Sequence, residues 1–333
     1  MKTLEPNQRL QLAHLWRKWG TMAGVNGLDI GLKFTGGELT GEICPRLHVQ
    51  FKEKDSFNLF SDDVLGQSDV IEASYCPRIA VEPQRLMGDY TPIPALRKPS
   101  DIIYPGLGIG PHTKLHAGTL GSIVWDGYTG EPGLLTNHHV IQQGQRVYQP
   151  GGFDGGGDEN EIAWCQRSYL GSDGDFSFCP LKAEWVERIR ESTYAEEDLN
   201  PVIPTWAELF RVGFEFGYRK VGMTTGDTSQ ICSGIGIYRI GYGSGVTVAM
   251  HGFQLIPPQP QTAEHNIEGS GPGDSGSSII VVKTRGELRQ VQQAGVLVGG
   301  EASGIAEEER TICCHAWLAA RRMFVYWERN QVL

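Results

Sequence analysis

At 333 residues the chain is long enough to bury a substantial core and to form two domains. Its 29 Lys and Arg against 39 Asp and Glu give a formal charge of −10, which excludes a general phosphate-binding surface, and no local basic patch offers a nucleic-acid role. With 44 glycines and 18 prolines in a chain that is 40% hydrophobic, short strands joined by tight turns are favoured over a helical bundle.

The opening segment, Met1 to Pro6, lacks the apolar stretch of a secretory signal. No run approaches the ~18 uncharged apolar residues of a membrane span. Residues 8–20 set Leu10, Leu12, Leu15, Trp16 and Trp19 among Arg9, His14, Arg17 and Lys18, the spacing of an amphipathic helix. Packing on a sheet is the expectation for it, and membrane contact is not. Strand-like segments follow at Gly27–Phe34, Arg46–Phe51 and Arg78–Glu82, with a turn at Gly36-Gly37. Together these predict a small N-terminal α+β module over residues 1–90, suited to recruiting a protein partner or regulating access to a site. Residues 91–112, part of a Pro-, Gly- and Tyr-rich stretch without periodicity, read as a connecting segment.

The remainder, 113–333, is dominated by short strands: 117–125, 133–141, 146–148, 176–181, 246–251, 278–282, 293–298 and 311–314. Strands at this spacing, broken by glycine turns, predict an antiparallel barrel or sandwich. Lys182–Glu191 has a helical pattern, Asp198–Pro204 reads as a surface loop, and Trp317–Trp327 as a closing helix. The seven cysteines are scattered and odd in number, and no C-x-x-C occurs, so neither a disulfide framework nor a zinc site is expected. Reduced thiols in a cytoplasmic protein fit that pattern.

Chemistry concentrates in three places. Ser275 sits in Gly273-Asp274-Ser275-Gly276-Ser277, a glycine-flanked turn that exposes a hydroxyl and turns backbone N–H groups toward a developing oxyanion. His138 and His139 follow the apolar run Leu134-Leu135-Thr136, and on strand alternation at most one of them enters a site. Of two nearby acids, Asp173 lies in a turn composition while Asp175 begins a strand, which favours Asp175. A serine hydroxyl needs a base to become a nucleophile, and the base needs an acid to orient it.

In the order histidine, aspartate, serine, these motifs resemble those of the trypsin/chymotrypsin-like serine peptidases, especially disulfide-poor bacterial-type members. The resemblance covers about residues 113–327. It implies a trypsin-like double antiparallel β-barrel following the N-terminal module, and a serine endopeptidase that cuts protein or peptide substrates without metal or organic cofactor. Thr136-Asn137-His138-His139-Val140 is similar to the family's histidine motif, in which the residue before the valine is the base; that points to His139. Asp175-Phe176-Ser177-Phe178 resembles the aspartate motif, and Gly273–Ser277 the nucleophile motif with Ser275. The N–H groups of Gly273 and Ser275 would form the oxyanion hole. Lys220–Gly226 is similar to a strand-turn segment of some members, with no chemistry attached to it. The resemblance also assigns Gly295–Gly300 to the strand that pairs with substrate, Val298, Gly299 and Gly300 walling the first specificity pocket and the two glycines leaving room for a side chain. Gly269 stands at the pocket floor; it is not an acid, so a preference for Lys or Arg is not implied, although Glu268 is adjacent. Glu301 and Glu307-Glu308-Glu309 read as charges that solvate a loop.

Two rivals differ in kind. An α/β-hydrolase needs G-x-S-x-G, where residue 277 is Ser, and the order serine, acid, histidine. A peptidase fold that serves as a silent or self-cleaving scaffold keeps the same residues, with the N-terminal module, residues 182–205 or the 301–309 loop covering the site.

Overall fold

The computed structural model describes residues 6–35, 38–52, 59–61, 63–64, 67–81, 94–190, 198–200, 217–243, 245–258, 269–285, 288–302 and 309–327. The predicted turn at Gly36-Gly37, Glu268 and Glu307-Glu308 lie outside them. Helix α1 is Pro6–Trp19; strands β1 to β5 are Val25–Thr35, Glu38–Val49, Asp69–Glu72, Tyr75–Pro77 and Ala80–Val81. Then come β6 to β13: Gly108–Ile109, His116–Thr119, Ser122–Asp126, Pro132–Thr136, Arg146–Tyr148, Glu161–Trp164, Arg167–Gly171 and Gly174–Pro180. Helix α2 is Ala183–Val186, and β14 to β20 are Asp198–Asn200, Tyr218–Gly222, Gly226–Gly241, Thr247–Ile256, Ser278–Arg285, Leu288–Glu301 and Thr311–His315. Helix α3, Ala316–Met323, and β21, Val325–Tyr326, complete the described chain.

The fold is mainly β and built as two barrels. In the second, neighbours run β15-β18-β19-β20-β17-β16, and β15 also pairs with β16, so the six strands close on themselves. Closure removes the free edges that an open antiparallel sheet would present. In the first, β12-β13-β9-β8-β21 form one sheet, and bridges Ala163↔Leu181 and Gly110↔Tyr148 carry the pairing on to β11, β10 and β6. Ile123, Leu134, Val140, Val147, Ile162 and Cys179 fill this barrel. That is the double-barrel arrangement expected from the sequence.

Strand β16 is 16 residues long and serves several neighbours. Residues 226–230 close the second barrel against β15, while 234–238 pair with β1, which leads on to β2 and β3. The N-terminal helix and strands therefore extend the second barrel's sheet. Leu12, Leu15 and Trp19 of α1 share one core with Leu28, Leu47 and Val70, and with Ile235, Phe253 and Leu297 of the barrel. Between the β1–β2 layer and β16–β17 lies a buried polar group. Arg46 Nε donates to Asp29 Oδ1 at 2.8 Å and Nη2 to Oδ2 at 2.5 Å, and Tyr238 O–H donates to Oδ2 at 2.7 Å. A desolvated charge pair survives there because each partner is also hydrogen-bonded.

Four local expectations change. The helical pattern at 182–191 gives a single turn, α2, after which Ile103 N donates to Arg188 O and Arg190 N to Ile103 O. Bonding to the connecting segment replaces the helix's own ladder. Asp198–Asn200, read as loop, is a strand in parallel with Gln290–Gln292. The closing helix ends at Met323, where Phe324 takes φ 50° and turns the chain back as β21 against β8. Of residues 78–81 in the 78–82 segment, only Ala80–Val81 is strand, and Glu82 lies outside the described residues.

Candidate active site

Strand β9 ends at Thr136, and the carbonyl of Asn137 then accepts from Val140 N and Ile141 N, making a tight turn. In a turn the alternation rule lapses, so both histidines approach the same acid. His138 N and His139 N donate to Asp175 Oδ1 at 2.5 and 3.3 Å, and His139 Nδ1 donates to Oδ2 at 2.5 Å. Tyr242 O–H adds a bond to Oδ2 at 2.7 Å. The side chains then part: His138 Nδ1 bonds Ser168 Oγ at 3.0 Å, whereas His139 Nε2 is buried and has no hydrogen-bond partner among the described residues.

Asp175 is fully buried at the start of β13. Burial raises its pKa, but the His139 charge and the bonds from His139 and Tyr242 outweigh this and hold it below the usual carboxylate range. Asp173 lies apart, its Oδ2 accepting from Arg322 Nε at 2.6 Å.

Ser275 lies on the turn leading into β18, where Gly273 and Gly276 take φ of +106° and +97°. At Gly273 a Cβ would also stand 2.5 Å from Thr224 Oγ1, so a side chain is refused on both counts. Asp274 locks this turn from below. Its carboxylate accepts from Gly271 N, Thr224 N and Thr225 Oγ1, and pairs with Lys220 Nζ at 3.0 Å. Burial raises the Asp274 pKa, and Lys220 with these hydrogen bonds brings it below the usual range. The Lys220–Gly226 segment thus has a task its sequence did not announce.

Ser275 Oγ donates to Val298 O at 2.9 Å. The backbone N–H groups of Gly273 and Ser275 point to one spot, and a peptide carbonyl fills it: Arg78 O, at 2.5 Å from Gly273 N and 3.0 Å from Ser275 N. Upstream, β4 lies antiparallel on β19 with Pro77 opposite Gly299 and Cys76 opposite Gly300, and Arg78 N donates to Val298 O at 3.2 Å.

The room at Gly300 is taken by Arg78, whose Nε would lie 2.3 Å from a Cβ there. Glu309 corrects the reading of a solvating loop. It is largely buried, accepts from Gly269 N at 2.8 Å and Ser270 N at 2.9 Å, and stands 3.6 Å from Arg78 Nη2. Glu301 is likewise inside, paired with Arg310 at 2.9 Å. Among the described residues no group of three or more His, Cys, Asp or Glu side chains gathers as a metal site would.

Sequence reasoning missed Tyr242, Lys220, Thr225, Arg78 and Glu309. The strand-turn pattern at 220–226 was the sole signal, because each partner is brought in from a distant part of the chain.

No family model and no curated protein matches the chain. Among solved structures it is similar to a Nocardiopsis protease, NAPase, at 16% identity over 67% of this chain and 97% of that one, with a TM-score of 0.42. The murine norovirus NS6 protease is similar at 16% identity over 58% and 89%, with a TM-score of 0.30. Likenesses this distant carry no argument about chemistry, and the fold stands on the chain's own strand pairing.

Proposed function

We propose that the chain is a serine endopeptidase in which His139, Asp175 and Ser275 act as base, orienting acid and nucleophile. The observation that carries the reading is a peptide carbonyl received by two backbone N–H groups on the Ser275 turn, in a fold where His139 is held on Asp175. Preorganised donors at that point stabilise the oxyanion of acyl transfer, each worth about 3 kcal/mol of barrier.

For the reaction, Ser275 Oγ has to leave Val298 O and meet Nε2 of His139. His139 Nε2 then takes the hydroxyl proton as Oγ attacks the carbonyl carbon. The oxygen becomes an anion between Gly273 N and Ser275 N. As the C–N bond breaks, His139 returns the proton to the leaving amine, and an acyl-enzyme ester remains. Water repeats the sequence: His139 takes its proton, the acid product leaves, and Ser275 regains its hydroxyl. Asp175 keeps the Nδ1–H tautomer throughout and stabilises the imidazolium, remaining ionised itself.

A silent or self-cleaving scaffold is the second reading, favoured by the occupied cleft and by the bond from Ser275 Oγ to Val298 O. A fluorophosphonate probe separates the two. We expect a covalent adduct on Ser275 that Ser275→Ala abolishes and that His139→Ala and Asp175→Asn slow by orders of magnitude with the melting temperature kept. A full-length chain that forms no adduct, even with Arg78 replaced, decides for the scaffold. Since residues 1–90 supply the strand lying in the cleft, we assign them regulation of access as well as partner recruitment. Seven unpaired cysteines support a reducing compartment such as the cytoplasm.

A further inference from the structure

Residues 75–78 cross the site in the register of a bound substrate. An extended segment adds an antiparallel strand to the edge of β19, its last N–H donates to Val298 O, and its last carbonyl enters the pair of N–H groups beside Ser275. The segment is tied down on both sides. Tyr75 O–H bonds His48 Nδ1 at 2.5 Å and accepts from Gln254 Nε2 at 3.1 Å, within the buried polar group around Asp29. Ser74 O accepts from Ala302 N at 2.8 Å. Beyond the cleft, Ala80 and Val81 pair with Ala117 and His116 of the first barrel. The Arg78–Ile79 peptide thus spans the two barrels at the point where a scissile bond would lie.

The arginine is read in detail. Its guanidinium lies over Gly300 of β19, where an added Cβ would stand 2.3 Å from Nε and 2.7 Å from Nη2. Its side chain is 13% exposed and its acid partner Glu309 is 15% exposed, so the pair sits well out of water. Glu309 is itself fixed by the N–H groups of Gly269 and Ser270, the turn that leads to the nucleophile. A planar cation over glycine backbone with a carboxylate at its far end is a site shaped for arginine more than for an apolar or acidic side chain.

Building on the serine-peptidase reading, we infer that the cleft is selective for polypeptide with arginine on the acyl side of the scissile bond, that Glu309 is the residue that reads it, and that residues 75–78 are the chain's own copy of that ligand, competing with substrates for the cleft. The charge at 309 sets the choice of side chain, while Gly273, Ser275 and Val298 hold the backbone of any sequence alike. The acid stands at 309, after β19, whereas the expected pocket floor at Gly269 is neutral.

The test uses full-length chain and three fluorogenic peptide amides, Tyr-Ala-Pro-X with X as arginine, leucine or glutamate. Arg78→Ala vacates the pocket; Arg78→Gln serves if that variant does not fold. The vacated chain should react with a fluorophosphonate at Ser275 at least about tenfold faster than wild type, and should cleave the arginine peptide about 100-fold better than the leucine or glutamate one. Adding Glu309→Gln should collapse the arginine-to-leucine ratio toward unity; a merely structural role at 309 would lower both rates and keep the ratio. Ser275 labelling with no arginine preference overturns the inference and leaves the peptidase reading standing, as does labelling no faster in the vacated chain than in wild type. Absence of Ser275 labelling in every variant overturns the peptidase reading itself, and this inference with it.

Discussion

Asp175 illustrates how few residues set the chemistry of the candidate site. One carboxylate, shut off from solvent, collects bonds from His138, His139 and Tyr242, and its charge is held by that collection. In the proposed peptidase Tyr242 is therefore a positioning residue. A hydrogen bond to a charged group is worth about 1.5–3 kcal/mol, so Tyr242→Phe should cut peptide turnover roughly tenfold or more with KM little changed. Asp173→Asn, which loses the pair with Arg322, should leave turnover where it was; a collapse there would move the acid's role to Asp173. His315 gives a pH signature of its own. Burial, with His251 nearby, lowers its pKa to about 3 from the ordinary 6.5. Because the folded value is depressed, the unfolded chain binds the proton first. The stability gained from a neutral His315 is complete above pH 6.5 and drains away as pH falls toward 3, by up to about 1.4 kcal/mol per unit. Melting temperatures followed from pH 7.5 to 4.5 should fall, and His315→Phe should make that fall shallower.

Among the elements, the hairpin of β15 and β16 matters more than its composition suggests. Lys220 on β15 and the turn at Thr224-Thr225 reach Asp274, 50 or so residues on, and so hold the residue beside Ser275. Both partners are at most 1% exposed, so removing one leaves a buried charge alone. Lys220→Met should cost about 3–5 kcal/mol by thermal or urea unfolding, and Lys220→Met with Asp274→Leu should recover part of that loss. A single variant as stable as wild type would contradict this account. Of the barrel strands, β11, β12 and the long β16 went unread, while β8, β9, β10, β13 and β17 to β20 were legible from glycine turns and apolar runs, since a barrel strand carries that pattern locally. Helix ends were not. Lys182–Glu191 has the helical pattern, yet Arg188 O and Arg190 N bond to Ile103, and no local signal encodes such a competitor.

At the scale of the whole molecule, the N-terminal strands and the second barrel share β16 and one core. A chain beginning at residue 94 would leave the 234–238 stretch of β16 without β1 and uncover Ile235, Phe253 and Leu255. It should aggregate or melt without a cooperative transition, visible by calorimetry and light scattering; a soluble fragment with a sharp transition would count against the shared core. The same continuity lets Tyr75 anchor in the buried polar group while Arg78, three residues on, lies in the cleft.

By itself the sequence determined the β-rich fold and its glycine turns, and it named His139, Asp175 and Ser275 as candidates, because periodicity and turn chemistry are local properties of the chain. Tertiary structure alone decided that two consecutive histidines meet one aspartate, that Lys220 supports Asp274, that Glu309 faces inward, and that residues 75–78 fill the cleft. Those outcomes depend on which distant segments come within a few ångströms of each other, and a one-dimensional pattern carries no record of that distance.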